Sequence, residues 1–330
     1  MARIIMPIIF LGFMVFILAV GFITAAKRGK KIVINETLSK EYQEKTLMLL
    51  ENNPNVSSAR LKYKTLGVFV YLFLIGMFVC FILYASERNK LFLILSILSF
   101  VGTIIISICR KSKALFNDVI PDVIKSYKDG LTYEHDKGIP SNIYREARFE
   151  SWDRYRSEDQ ITGQIHDCNF TMSEVHTEDR YTDSEGHTHY RTIFRGTFAV
   201  IDLNKSFNGW INIVNNKIKL FSRDNYISLE NTEFEKIYDV FTDDKIKSMR
   251  LLTPDVTTRM LDLYNETGLY CEIKIINNKM YIRLYTSGLF EVAFSTPEKE
   301  AKKIGECIAV IDNVFKTTEN FISELERLDD

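Results

Sequence analysis

Long uncharged runs dominate the first third of the chain. Residues 4–26, 66–85 and 91–109 contain no Asp, Glu, Lys, Arg or His. At about 1.5 Å per residue, helices of this length reach across a bilayer core of about 30 Å. The first run exceeds the apolar stretch of about 7–15 residues found in signal peptides, and basic residues follow it at once. The pattern therefore predicts three transmembrane helices, and the polar residues 86–90 join the last two in a hairpin.

Lysines and arginines are distributed unevenly around these predicted spans. The loop at residues 27–65 holds nine of them and residues 111–130 hold four, whereas the tail before the first span holds one and the turn at residues 86–90 holds two. Basic residues accumulate on the cytoplasmic side of membrane proteins. We therefore expect a membrane region at residues 1–110, with an outward N-terminus and a cytoplasmic loop at residues 27–65, followed by a cytoplasmic domain at residues 111–330.

After residue 110 the apolar pattern changes between the period of two typical of strands and the period of three to four typical of helices. Strands are expected at residues 131–135, 161–165, 170–178, 190–203, 209–214, 218–221, 271–276, 280–285 and 291–294. Helices are expected at residues 38–51, from the third span to residue 128, and at 139–149, 254–265 and 297–328. Because hairpins dominate, the pattern predicts an α+β domain with an antiparallel β-sheet and a long C-terminal helix.

Composition and charge narrow the functions open to this chain. The first 109 residues carry 12 Lys and Arg against 5 Asp and Glu, and the remainder carries 30 against 38. An acidic domain disfavours nucleic-acid binding, since that affinity comes largely from basic contacts with phosphates. Spans without ionisable side chains disfavour a pump or a coupled transporter. The five cysteines have no CxxC spacing, which disfavours a disulfide framework and a zinc ribbon.

Small residues line one face of the third predicted span. Ser96, Ser99, Thr103 and Ser107 recur at intervals of three and four, with Gly102 beside them. Such a face allows two helices to approach closely. We favour packing against the second span of the same hairpin, and contact between two copies of the chain is the alternative.

Five segments of the region after residue 110 are in the order seen in a known family. They are Tyr155–Gly163, Phe170–Glu178, Phe194–Gly209, Phe234–Asp244 and Leu251–Pro254. The most specific patterns are SEDxIxG in the first segment and FRGxF in the third. Over about residues 111–289 the chain resembles the bacterial membrane-protein family called domain of unknown function 3137. The resemblance implies a membrane-attached cytoplasmic domain in a bacterium, and it implies no reaction.

A histidine- and acid-rich stretch at residues 176–189 lies largely outside the patterns of this family. His187 and His189 are two residues apart and would share one strand face, a geometry used for transition metals. The acidic residues available to complete a metal site are Glu178, Asp183 and Glu185. A tight turn in this stretch would place His176 opposite about Ile193, away from the other two histidines. An exposed polar hairpin tip accounts for the stretch without a metal, and we favour that interpretation.

Three further acidic residues are candidate general acids or bases. They are Glu158, Asp159 and Glu174. Adjacent residues on a regular strand point to opposite faces, so we do not expect Glu158 and Asp159 to act as a pair. Arg195, beside Gly196, is a candidate contact for an anionic ligand, although a salt bridge with a nearby acidic residue is the simpler expectation. The sequence contains no glycine-rich phosphate loop, Ser-His-Asp order or nucleophile elbow.

Because no catalytic motif is assembled, the leading hypothesis is a membrane-anchored cytoplasmic module that binds or scaffolds a protein or a small molecule, rather than an enzyme. We expect it to contact the lipid bilayer, to need no cofactor and to bind no nucleic acid, while a homo-oligomer stays open. The alternative is a membrane-tethered, metal-dependent hydrolase that uses His187 and His189, with Glu178 and Asp183 completing the metal site.

Overall fold

The computed structural model describes residues 36–109, 115–216, 225–286, 288–290, 292 and 294–328. The chain divides into two compact units. Within the described residues, the first unit holds residues 50–109, 115 and 294–295, and the second holds the rest. The span predicted at residues 4–26 and the strand predicted at residues 218–221 lie outside the described residues.

Three helices follow one another at the start of the described chain. They are α1 Glu36–Asn52, α2 Pro54–Glu87 and α3 Lys90–Cys109. The first confirms the helix predicted at residues 38–51. Helix α2 begins at Pro54 because Asn53 caps it: the Asn53 side chain accepts hydrogen bonds from the backbone N–H groups of Asn55 and Val56 at 3.0 and 3.2 Å. It ends at Arg88, which has a left-handed backbone with φ of 57°.

Helix α2 contains the span predicted at residues 66–85. Among the described residues it is the one helix long and apolar enough to cross a membrane. The span predicted at residues 91–109 is also helical and lies in α3. Within α3, however, the apolar segment Lys90–Ile106 is shorter than a typical span of about 20 residues. Length and composition therefore support one span, and the three-span arrangement stays a prediction.

Three small residues of α3, Ser96, Ser99 and Gly102, face α2. The Ser96 Oγ donates to the carbonyl oxygen of Met77 at 3.1 Å, and the Ser99 Oγ donates to that of Phe73 at 2.7 Å. A Cβ on Gly102 would press on the ring of Phe73. This part of the small-residue face therefore packs within the hairpin of one chain, as predicted.

Within the described residues, one antiparallel sheet of nine strands forms the body of the second unit. The strands are β1 Thr132–Glu134, β2 Arg154–Ile165, β3 Cys168–Thr182, β4 Thr188–Asp202, β5 Trp210–Asn215, β6 Tyr226–Ile227, β7 Tyr238–Thr242, β8 Cys271–Ile276 and β9 Lys279–Leu284. Their order across the sheet is β1-β2-β3-β4-β9-β8-β5-β7-β6. All neighbouring pairs are antiparallel, which confirms the predicted α+β class with an antiparallel sheet.

Most of the remaining helices are short, and the last is long. They are α4 Ile120–Tyr127, α5 Ser141–Glu146, α6 Thr232–Glu235, α7 Lys245–Leu251, α8 Pro254–Thr267 and α9 Pro297–Arg327, and a π-helical turn at Leu115–Val119 precedes α4 in the chain. Helix α8 ends at Gly268, whose φ of 65° suits a residue without a side chain. Helix α9, of 31 residues, confirms the predicted long C-terminal helix.

The two faces of the sheet are covered by different elements. On one face, here called the α9 face, the ring of Phe315 in α9 lies 4.7 Å from that of Phe170 on β3. On the other, here called the aromatic face, α5 and the segment after it cover a cluster in which the rings of Tyr144 and Phe198 are 4.8 Å apart. The core of the second unit therefore lies on both sides of the sheet.

Five polar residues interact beneath the cover of the aromatic face, and we call them the buried ionic group. The Arg283 side chain on β9, which is 5% exposed, donates from Nε to Glu272 at 2.9 Å and from its terminal nitrogens to Glu272 and Glu150. The Tyr144 hydroxyl donates to Glu150 at 2.6 Å, and the Tyr285 hydroxyl lies 3.2 Å from Arg283. Every ionised member of this group therefore has a partner of opposite charge.

Candidate functional site

An open cleft lies on the α9 face over strands β2, β3 and β4. Strand pairing places Arg156, His176 and Arg195 in one row across the three strands, here called the basic row. Two residues further along the strands, Glu158 pairs with Glu174, and these two form the acidic row. Two residues on a strand span about 7 Å, so the rows are neighbours. Together their side chains line a cavity of about 320 Å³.

His176 is the middle member of the basic row, and its side chain is half-buried. Its Nε2 lies 3.0 Å from the Thr192 Oγ1 and 4.0 Å from Glu178. Burial lowers the pKa of His176, Glu178 acts against this effect, and Arg195 and Arg156 lower the pKa further by charge repulsion. The imidazole is therefore neutral near pH 7, between two permanent positive charges.

A β-bulge that the sequence pattern does not reveal follows Glu158 and brings Asp159 beside the acidic row. The pairing of β2 with β3 shifts between Glu158 and Ile161, and Asp159 has a φ of 58°. One carboxylate oxygen from each of Glu158, Asp159 and Glu174 consequently lies within 4.8 Å of the others. The expectation that Glu158 and Asp159 point apart was wrong, because it assumed the alternation of a regular strand. The weak signal for this irregularity is the aspartate itself, since Asp adopts a positive φ more readily than most residues.

Asp159 is held in place by residues for which the sequence suggested no role. The Tyr133 hydroxyl donates to the Asp159 Oδ1 at 2.5 Å, and the Nδ1 of His135 lies 2.6 Å from the same oxygen. Burial raises the pKa of Asp159, and the hydrogen bonds from Tyr133 and His135 act against that shift. These contacts join residues more than twenty positions apart, so no local pattern could have indicated them.

Among the described residues, the oxygens of these three carboxylates lie close enough together to coordinate one divalent cation. They differ in accessibility, because Asp159 is buried while Glu158 is exposed. The Glu174 Oε1 also accepts a hydrogen bond from the backbone N–H of Phe290 at 2.8 Å. The fold therefore fixes two of the carboxylates and leaves Glu158 facing solvent.

Gly196, the glycine of the FRGxF pattern, lies where two strands approach closely. A Cβ on Gly196 would overlap the carbonyl oxygen of Leu284 and lie 2.8 Å from the backbone nitrogen of Thr286. The hydroxyl oxygens of Thr197 and Thr286 are 2.8 Å apart beside this contact. The glycine thus lets the end of β9 approach β4, while Arg195 projects from β4 into the cleft as an exposed side chain.

The structure brings together three of the four residues proposed as metal ligands. The Asp183 Oδ2 lies 2.6 Å from the Nε2 of His189 and 3.7 Å from the Nδ1 of His187. Its Oδ1 accepts hydrogen bonds from the backbone N–H groups of Glu185 and His187 at 3.0 and 2.8 Å, as in an Asx turn. Hydrogen bonds from His189 and this backbone lower the pKa of Asp183. Glu178 lies elsewhere, beside His176.

The partner of His176 across the hairpin differs from the one expected. Simple counting from the turn places His176 opposite about Ile193, but it pairs with Arg195. The register shifts between Thr177 and Glu178, where β4 gains one residue, and the rest of the difference comes from the turn, since Thr182 pairs with Thr188. This bulge moves His176 into the basic row.

Comparison with known families supports the resemblance seen in the sequence. The sequence model of the family described as "Protein of unknown function (DUF3137)" matches residues 192–323. The chain resembles DUF3137 proteins. The match includes Arg195, Gly196 and most of α9, and it begins after Glu158 and Glu174, which lie before residue 192. The DUF3137 description names no activity.

One solved structure is similar to the chain. It is the crystal structure of the mycobacterial trehalose monomycolate transport factor A, TtfA, with 12% sequence identity and a TM-score of 0.36. The similarity covers 63% of this chain and 95% of TtfA. No curated protein sequence matches this chain.

Proposed function

We propose that this protein is a membrane-anchored binding module whose α+β domain lies on the cytoplasmic side of a bacterial membrane. Helix α2 supports the anchor, because its length and apolar composition suit a span. The Lys- and Arg-rich loop at residues 27–65 supports the cytoplasmic side. The resemblance to DUF3137 proteins agrees with a bacterial source.

The cleft is the binding site of this module. The observation that carries this proposal is the basic row of Arg156, His176 and Arg195 beside the acidic row, around an open cavity of about 320 Å³. Arginine side chains recognise carboxylate and phosphate groups by paired hydrogen bonds. Carboxylates about 7 Å away would accept hydrogen bonds from an ammonium or hydroxyl group. The ligand is therefore a small molecule that carries both an anionic group and hydrogen-bond donors.

The arrangement around His176 favours binding over hydrolysis. In a serine-type triad, the nucleophile and the carboxylate contact different nitrogens of the imidazole. Here the Thr192 hydroxyl and the Glu178 carboxylate both approach Nε2. His176 is therefore placed to hold a ligand rather than to relay a proton to Thr192.

Titration calorimetry on the full-length protein in nanodiscs tests this proposal, with inorganic phosphate and phosphoethanolamine as probes. Phosphoethanolamine combines an anionic phosphate with an ammonium donor, so we expect it to bind more tightly than phosphate. Each of Arg156→Gln and Arg195→Gln should weaken that binding by at least about tenfold, because a charged hydrogen bond is lost.

Arg191→Gln is the matched control. Arg191 lies on the same strand as Arg195 and is exposed, and it forms an ion pair with Asp179 at 3.1 Å. Neither residue of this pair lines the cleft. We expect wild-type affinity from this variant. Failure of both probes to bind, or an equal effect of the substitutions at Arg191 and Arg195, would contradict the assignment of the cleft.

A metal-dependent hydrolase at the histidine hairpin is the second candidate. One oxygen of Asp183 faces both His187 and His189, an arrangement that would let the three side chains bind one metal ion. Elemental analysis of the purified full-length protein separates the candidates. A stoichiometric transition metal that disappears in the double variant His187→Ala/His189→Ala would establish a hairpin site. Metal lost in Glu158→Gln/Glu174→Gln instead would place it in the cleft, and its absence from wild type would remove the hydrolase candidate.

A further inference from the structure

Helix α7 exposes two large apolar side chains, whereas most others of the domain are buried. Among the described residues from 116 to 328, three large apolar side chains are exposed: Tyr181, Ile246 and Met249. Two of them lie on α7, and Ile246 is 77% exposed. Exposing neighbouring apolar side chains to water costs free energy, so a pair on one helix face indicates a contact surface.

The exposed face of α7 combines apolar and basic residues. Lys245, Ile246, Met249 and Arg250 are all exposed, and their spacing of three and four places them on one side of the helix. Within the described part of the chain, neither Lys245 nor Arg250 forms an ion pair. Asp243 and Asp244 directly precede the helix and the domain as a whole is acidic, so the positive charge is confined to this side of α7. We call these four residues the α7 face.

The α7 face is held rigidly by the opposite side of the helix. Ser248 and Leu251 are buried, and the Ser248 hydroxyl donates to the Thr242 Oγ1 at 2.7 Å. The Asp244 side chain caps the helix by accepting from the backbone N–H of Lys247 at 3.0 Å. Ile246 and Met249 are therefore presented to solvent by a fixed helix rather than by a loose loop.

We propose that the α7 face docks on an anionic lipid surface. In this contact Ile246 and Met249 enter the boundary between headgroups and acyl chains, while Lys245 and Arg250 contact lipid phosphates. Charge complementarity selects the partner, because two exposed basic side chains beside two apolar ones match an anionic bilayer. The anchor proposed for α2 keeps a bilayer at high effective concentration, which makes even a small docking surface sufficient. The proposal does not depend on the ligand of the cleft.

Environment-sensitive fluorescence of the full-length protein tests the contact. Ile246→Cys is labelled with a nitrobenzoxadiazole dye, and the protein is placed in nanodiscs of phosphatidylcholine alone or mixed with phosphatidylglycerol. We expect emission to shift to shorter wavelength, and to be quenched by spin-labelled acyl chains, when phosphatidylglycerol is present. Charge reversal in Lys245→Glu/Arg250→Glu should abolish both effects, because each basic side chain changes the docked population by about fivefold.

Two controls keep the result specific. The unsubstituted protein measures labelling of its own cysteines, of which Cys168, Cys271 and Cys307 are buried. A dye on Ser151→Cys, an exposed position after α5, should respond to neither lipid. An Ile246 signal that is equal in both lipids overturns the proposal, as does a shift that depends on protein concentration, which would indicate a second copy as the partner.

The outcome also separates this contact from the anchor. A protein that fails to enter nanodiscs argues against the α2 anchor alone. In that case, flotation with phosphatidylglycerol vesicles examines the α7 face directly. Flotation that survives Lys245→Glu/Arg250→Glu, or no flotation at all, would then exclude lipid docking by α7.

Discussion

The two faces of the sheet carry similar charged residues in opposite settings. On the aromatic face, Arg283 is 5% exposed and Glu272 is fully buried, and the two form a direct ion pair. On the α9 face, Arg195 and Glu158 are exposed and line the open cleft. The strands that carry Arg283 and Arg195, β9 and β4, are paired neighbours. The difference therefore lies in what covers each face and not in the residue types.

Cover decides whether charges stabilise the fold or remain available to a ligand. Ions removed from water lose hydration, and only close partners compensate for the loss, so a buried group tolerates no missing member. Exposed ions keep much of their hydration and contribute little to stability. The segment after α5 covers the aromatic face, so the charged side chains there stabilise the fold. The charged side chains in the cleft stay accessible to a ligand.

Replacing one arginine on each face gives the largest contrast. Arg283→Met should lower the free energy of unfolding by about 3–5 kcal/mol, because Glu272 would remain buried without its partner. Urea titration of the full-length protein, followed by the fluorescence of Trp152 and Trp210, measures this change. Both tryptophans of the chain lie in the second unit, so the signal reports that unit.

Arg195→Met is the partner of that experiment, and we expect it to change the free energy of unfolding by less than about 1 kcal/mol. Its side chain is exposed, so the methionine leaves no buried charge behind. Equal losses of stability in the two variants would show that the cleft is a structural ion network, and the contrast between the faces would fail.

A smaller effect should appear in the pH dependence of anion binding to the cleft. Burial and the flanking arginines lower the pKa of His176 below its usual value of about 6.5, so the free protein holds this imidazole neutral at pH 7. A bound anion favours the imidazolium, and binding therefore takes up a proton. Affinity should rise as the pH falls toward the lowered pKa of the free imidazole, by at most about tenfold per pH unit, and should level off below that pKa.

Sulfate is the appropriate probe for this experiment, because its charge stays constant over the range. Calorimetry with the wild type and His176→Gln provides the comparison. We expect the variant to bind sulfate with little dependence on pH. A slope that persists in His176→Gln would assign the proton to another group.

Parts of the fold follow from local pattern, and the hairpin of β8 and β9 illustrates this. Apolar residues recur at 271–276 and 280–285 on either side of Asn277, and the observed strands match within one residue. Asn277 takes a φ of 54°, as turn asparagines readily do. Strand β7 was missed, because Phe241 is buried as well as Tyr238, Val240 and Thr242 and so interrupts a period of two. Its five residues are too few for that signal to stand out.

The cleft, by contrast, depends on irregularities. The sequence singled out Glu158, Asp159, Glu174 and Arg195 separately, but two bulges bring them beside His176. A bulge changes the face of every later residue on its strand, and alternation alone cannot locate it. Tyr133 and His135 join the group only through strand pairing.

The sequence by itself determined the apolar helix α2, the antiparallel class of the sheet and the long C-terminal helix, because each follows from hydrophobic spacing over neighbouring residues. Tertiary structure decided which charges are buried at Arg283 and which remain open at Arg195. That choice depends on the segments that cover each face of the sheet. Burial depends on contacts between residues distant in the chain, and the hydrophobic spacing of neighbouring residues does not predict those contacts.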